Sequence, residues 1–209
     1  MNEAWGELSI QDAYAEAART FVSLVRAIPA GAWNGPGLGE WDLRSLVGHT
    51  SRSLITVETY LGMPADWEDV PSPEAYYSAI SGIAQVNPAD VAERGRAAGR
   101  ALGDDPLGAV EAIVERVLPL VYRDDDPLIT TIVGGMRLSR YLPTRNFELV
   151  VHGTDIAAAA GLEPPGYTEQ LLTQVAALAA GAAVLGGRGI ELIRALTGRA
   201  ALDPAFSMV

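Results

Sequence analysis

Glu148 and His152 stand four residues apart in a segment, about Tyr141 to Ala160, that reads as a nearly all-apolar helix. One helical turn of separation lets a carboxylate and a neutral imidazole face the same divalent ion. His49 lies in another strongly helical segment and is the only other imidazole available to complete a three-ligand site. Three protein ligands on a tetrahedral ion leave the fourth position to a reacting molecule, which separates catalytic from structural zinc sites. A second reading stays open on residue types alone. Glu148 and His152 could pair with each other or with Arg145 as a structural network, with His49 facing solvent or hydrogen-bonded.

At a helical advance of roughly 100° per residue, Arg145, Glu148, His152 and Asp155 fall within an arc of about 80°. The rest of that helix is Phe147, Leu149, Val150, Val151, Ile156 and alanines, so it should be buried and its charges need partners. Asp155 is either the acceptor that fixes the tautomer of a ligating imidazole or the partner of an arginine. Arg44 and Arg52 are solvated helix charges or, in a cleft, a bidentate clamp for a carboxylate. Trp41 suits packing over the core better than a lid. The run Asp124 to Asp126 reads as a solvated turn and lacks the spacing of a calcium loop.

These side chains sit in a chain of 209 residues with 49% hydrophobic content, enough for one sizeable core. A net charge of −11 opposes nucleic acid and anionic membrane as partners and favours a small molecule. With no cysteine there is neither a disulfide nor a protein thiolate. The first twelve residues hold three acidic and no basic side chains, unlike a secretory signal, and no apolar run reaches membrane-spanning length. A cytoplasmic location is expected. All fifteen basic residues are arginine, which together with abundant alanine and glycine indicates a high-GC genome.

Periodicity and punctuation predict the elements that must position the site. Ser9 and Asp12 form a capping box for a helix over Ala13 to Ile28. A Gly/Pro loop, Pro29 to Glu40, delivers Trp41 to a second helix capped by Asp42 and ended by Gly62 to Pro64. A short helix is expected over Pro73 to Ile83, and helix again from Pro88 to Tyr122 with a break at Gly103 to Pro106. Leu128 to Ser139 reads as a two-strand hairpin turning at Gly134 and Gly135. The helix of Glu148 and His152 then starts near Tyr141, with Pro143 in its first turn, and ends at Gly161. After a proline-rich linker, a helical pair follows at Thr168 to Leu185 and Gly189 to Thr197.

The stretches Trp41-Asp42-Leu43-Arg44-Ser45-Leu46-Val47-Gly48-His49 and Arg145-Asn146-Phe147-Glu148-Leu149-Val150-Val151-His152-Gly153-Thr154-Asp155 resemble the two signatures of the mycothiol-dependent maleylpyruvate isomerase family. That family belongs to the DinB-like superfamily of metal-binding bundles. The resemblance runs from about Ser9 to Thr197. It implies an all-α fold, a DinB-like up-and-down four-helix bundle with a small hairpin and an appended C-terminal helical pair. The bundle is expected over residues 1–163 and the helical extension over 164–209.

The same resemblance implies that His49, Glu148 and His152 ligate a divalent metal, most simply zinc, with mycothiol as cosubstrate. A low-molecular-weight thiol of this kind fits both a cysteine-free chain and a high-GC genome. The implied reaction is addition of a metal-activated thiolate to a small electrophile, ending in cis–trans isomerisation or in S-transfer. Arg44, Arg52, Arg145 and Asp155 are the expected substrate-binding or supporting residues. Members of the isomerase type carry a further C-terminal α/β domain, whereas residues after Pro165 read as helices here, so maleylpyruvate itself is not the expected substrate. Two other functions remain in view, a hydrolase in which water replaces the thiol and a non-catalytic ligand-binding or stress-response module. A monomer or homodimer is expected.

Overall fold

The computed structural model describes residues 8–82 and 88–207. In chain order the elements are α1 (Ile10–Ala27), α2 (Leu43–Leu61), α3 (Pro73–Gly82), α4 (Pro88–Ala101), α5 (Pro106–Val121), β1 (Leu128–Thr131), β2 (Gly134–Arg137), α6 (Leu138–Ala160), α7 (Glu169–Leu185) and α8 (Gly189–Leu196). Residue 83, the last of the expected short helix, lies outside the described residues.

The caps form where the side-chain chemistry puts them. Ser9 accepts the Asp12 amide at 3.0 Å and donates to its carboxylate at 2.7 Å, starting α1. Asp42 accepts the Ser45 amide at 2.7 Å and starts α2, a bond worth about 1 kcal/mol of helix stability. Asp105 does the same for α5 through Gly108, just ahead of Pro106. Gly161, at φ 68°, closes α6 in the left-handed region that glycine enters without strain.

Helices α1 and α2 each pack against both α5 and α6, which makes these four the bundle. Tyr14, Phe21, Leu43, Leu46, Leu54, Leu142, Leu149 and Ile156 are sealed inside it. Outside the bundle, α4 lies on α2, while α3 and α7 pack on each other and on α6. Thr168, the cap of α7, is itself held by Glu16 of α1 through two bonds of 2.8 Å, and Leu171, Val175 and Leu178 of α7 enter the main core. Helix α8 buries no residue. No helix among the described residues is long and apolar enough to cross a membrane.

Two boundaries differ from the sequence reading. The hairpin turns at Ile132 and Val133, with Thr131 paired to Gly134. The glycines are needed elsewhere: a Cβ on Gly135 would stand 2.0 Å from the Trp67 carbonyl oxygen, because the loop before α3 lies directly on β2. Its Asp69 accepts the Gly135 amide at 2.7 Å. In turn, α6 starts at Leu138 rather than near Tyr141, so Pro143 is inside the helix and not in its first turn. Asp126 explains the earlier start, since its carboxylate takes the Ser139 amide at 2.8 Å and the Ser139 hydroxyl at 2.6 Å. That part of the acidic run is therefore a cap supplied from a distant loop, while Asp124 and Asp125, the latter paired with Arg123, are surface charges.

Candidate metal centre

Helix α2 presents His49 and helix α6 presents Glu148 and His152 to one point between the two helices, with Asp155 against His152. One ligand atom from each of His49, Glu148 and His152 lies within 4.8 Å of the others. The two imidazoles meet edge to face at 5.1 Å between centroids. His152 Nε2 stands 3.4 Å from Glu148 Oε2, and its Nδ1 stands 3.0 Å from Asp155 Oδ2. A neutral His152 that donates Nδ1–H to Asp155 would have its Nε2 lone pair on the side of Glu148.

Each ligand is in turn held by its surroundings. Trp41 stacks on His49 at 4.5 Å and donates its indole N–H to the Ala92 carbonyl of α4 at 2.9 Å. It is thus both a packing residue and a wall of the site. The Tyr77 hydroxyl reaches Glu148 Oε1 at 3.0 Å and the Thr144 carbonyl at the same distance. Nothing in the spacing of α3 singles Tyr77 out, and the sequence reading passes over it.

Helix α4 reaches the site by a close glycine contact. A Cβ on Gly48, beside His49, would fall 2.2 Å from the Gly99 backbone nitrogen, and one on Gly95 would fall 2.4 Å from the Trp41 ring. Gly95 and Gly99 are one turn apart, the one sequence signal that could have marked this contact.

The three groups differ in how they hold a proton. Burial, then the neighbouring His152, depress the His49 pKa to about 4, so this imidazole is neutral at pH 7. Burial opposes ionisation of Glu148, but the His152 hydrogen bond and the Arg145 charge outweigh it and hold the carboxyl at about 2. For His152 burial is likewise outweighed, here by Glu148 and Asp155, and its pKa lies above the ordinary value. Two imidazoles and a carboxylate are a donor set that zinc and its first-row neighbours accept.

The other expected residues separate. Arg145 is 8% exposed, with its guanidinium 5.3 Å and 4.7 Å from the Tyr76 and Tyr141 ring centres. Arg52 and Arg145 line a cavity of about 240 Å³ that also has His49 and Glu148 in its wall. Arg44 stands outside this group, donating to the Gly103 carbonyl at 2.7 Å and lying over Trp33.

Residues 14–157 match the family described as the mycothiol maleylpyruvate isomerase N-terminal domain. The chain belongs to this family. Both clusters that build the centre, around His49 and around Glu148 and His152, fall inside the matched span. Membership implies a mycothiol-related function, carried by a mostly helical fold with a two-strand hairpin. No curated protein and no solved structure matches the chain.

Proposed function

We propose that the protein is a cytoplasmic, metal-dependent enzyme that uses mycothiol and a small electrophile, as a thiol S-transferase or a cis–trans isomerase. The observation that carries this reading is the meeting of His49, Glu148 and His152 within a mycothiol-associated family scaffold. These three residues would hold the metal, for which zinc is our choice on donor chemistry. A divalent cation there supplies the positive charge that keeps a nearby thiol in its thiolate form at neutral pH.

The chain's own residues do the rest. Asp155 orients the His152 ring through Nδ1, and Tyr77 occupies Glu148 Oε1 so that Oε2 faces the histidines. Trp41, stacked on His49, excludes water from one side. On the other side the cavity of about 240 Å³ gives room for the electrophile.

Elemental analysis of the purified chain, paired with calorimetric titration of mycothiol, tests the reading. Stoichiometric metal and thiol binding that disappears on metal removal is the expected result. Metal-free protein that binds mycothiol equally well, or turnover that proceeds without any thiol, would overturn it.

A further inference from the structure

The cavity beside the triad has an electrostatic character opposite to that of the molecule. The chain carries −11, yet Arg52, Arg94 and Arg145 all line this cavity against a single carboxylate, Glu148. No ion pair involves any of the three arginines among the described residues. Of the other twelve arginines, seven find carboxylates: Arg26, Arg96, Arg100, Arg116, Arg123, Arg140 and Arg188.

Arg145 is the informative member. A buried guanidinium is costly unless its donors are matched. Only Nε has a hydrogen-bond acceptor among the described residues, Thr144 Oγ1 at 3.0 Å. The Tyr76 and Tyr141 rings hold the group by cation–π contact, and its two terminal nitrogens have no hydrogen-bond acceptor among the described residues. A planar guanidinium held in this way and open on its forked edge is matched by a carboxylate, which takes two parallel N–H bonds.

The cavity also has apolar lining. Ile80 of α3, Val91 of α4 and Ile132 of the hairpin tip line the same cavity. Ile132 is 63% exposed and occupies a turn position, where a β-branched apolar side chain works against ordinary turn chemistry. Departures from local preference of this kind concentrate at functional sites.

We propose that this cavity selects a small amphipathic carboxylate, its charged end on Arg145 with Arg52 and Arg94 at the mouth, and its apolar body against Ile80, Val91 and Ile132. The inference names the substrate class for the reaction proposed above and rests on that reading for the chemistry. The side chains assigned to the carboxylate and to its apolar body lie outside the metal triad, so this binding can be tested separately.

The test is calorimetric titration of the full chain, metal-loaded and metal-free, with trans-cinnamate and with its neutral isostere cinnamamide. Cinnamate should bind both forms, and the amide at least about tenfold more weakly, because it lacks the charge that the guanidinium fork recognises. Arg145→Gln should weaken cinnamate by about tenfold or more, and Arg52→Gln with Arg94→Gln together by several-fold. The latter two side chains are exposed, so that double variant decides the question even where Arg145→Gln does not fold.

Amide binding equal to that of the acid, unchanged affinity in the arginine double variant, or no saturable binding of either probe would overturn the proposal. So would cinnamate binding that vanishes with the metal, which would assign the carboxylate to the ion instead. Failure of the thiol and metal reading would appear separately, as a chain that purifies without metal and ignores mycothiol.

Discussion

In the proposed metal site Tyr77 would act through Glu148 without touching the ion. Its bond to Glu148 Oε1 leaves the carboxylate with one free oxygen facing His152 and His49. Loss of such a supporting bond commonly costs 10- to 100-fold in metal affinity. Tyr77→Phe keeps the ring that packs on Phe147 and Tyr76. The variant should therefore melt close to the parent and bind zinc about tenfold or more weakly in a competition titration with a coloured chelator. Unchanged affinity would reduce Tyr77 to a packing residue. The two histidines make a second case. In the metal-free chain His49 should stay neutral down to about pH 4, whereas His152 should remain partly protonated above its ordinary 6.5. Between pH 4 and 6.5 the unfolded chain therefore binds the extra proton at His49, and that residue's contribution to stability grows as pH rises through this window. His152 works in the reverse sense, stabilising below 6.5 and losing that contribution as pH rises through its folded pKa. Proton NMR of the two ring C2–H signals reads both midpoints, and coincident titration near 6.5 would contradict the arrangement.

Among the elements, α4 is the one whose placement most affects the site and was least legible. Its own side chains gave a helix, but nothing in them said that it lies on α2 at glycine distance. Gly48→Ala would push a methyl to 2.2 Å from the Gly99 backbone nitrogen, where no side-chain rotation relieves it. Overpacking of this kind costs about 2–3 kcal/mol, or roughly 5–10 °C in Tm for a chain of this size. Differential scanning calorimetry checks the loss, and a Tm within a degree of the parent would show that α4 is not held as described. The caps at Ser9 and Asp42 were readable because each is a bond between residues three apart. The start of α6 was not, because its cap, Asp126, comes from thirteen residues upstream. The hairpin turn was misplaced for a related reason. Gly134 and Gly135 looked like turn residues, but Gly135 is small to admit the Trp67 backbone, a contact between segments far apart in sequence.

At the level of the whole molecule, the sequence held the identities of the candidate ligands but not their convergence. Glu148 and His152 share a helix, so their proximity follows from the geometry of one turn. His49 is about a hundred residues away, and only the packing of α2 against α6 brings it within 4.8 Å of the other two ligands. Arg44 and Arg52 could not be told apart by spacing. Once α4 covers α2, Arg44 turns to Gly103 and Trp33 while Arg52 faces the cavity. Fold and metal site are consequently one problem: the ion would bridge two helices of the bundle, and the bundle would present the ion beside an arginine-lined cavity. The most direct measurement is the visible absorption of the cobalt-substituted protein, alone and titrated with mycothiol, for the parent and for His49→Ala. The parent should take up one equivalent of cobalt with the intense bands of a low-coordinate site and develop a sulfur-to-metal charge-transfer band as thiol is added, and His49→Ala should lose both. Cobalt spectra and thiol response unchanged in His49→Ala would contradict a centre shared between α2 and α6.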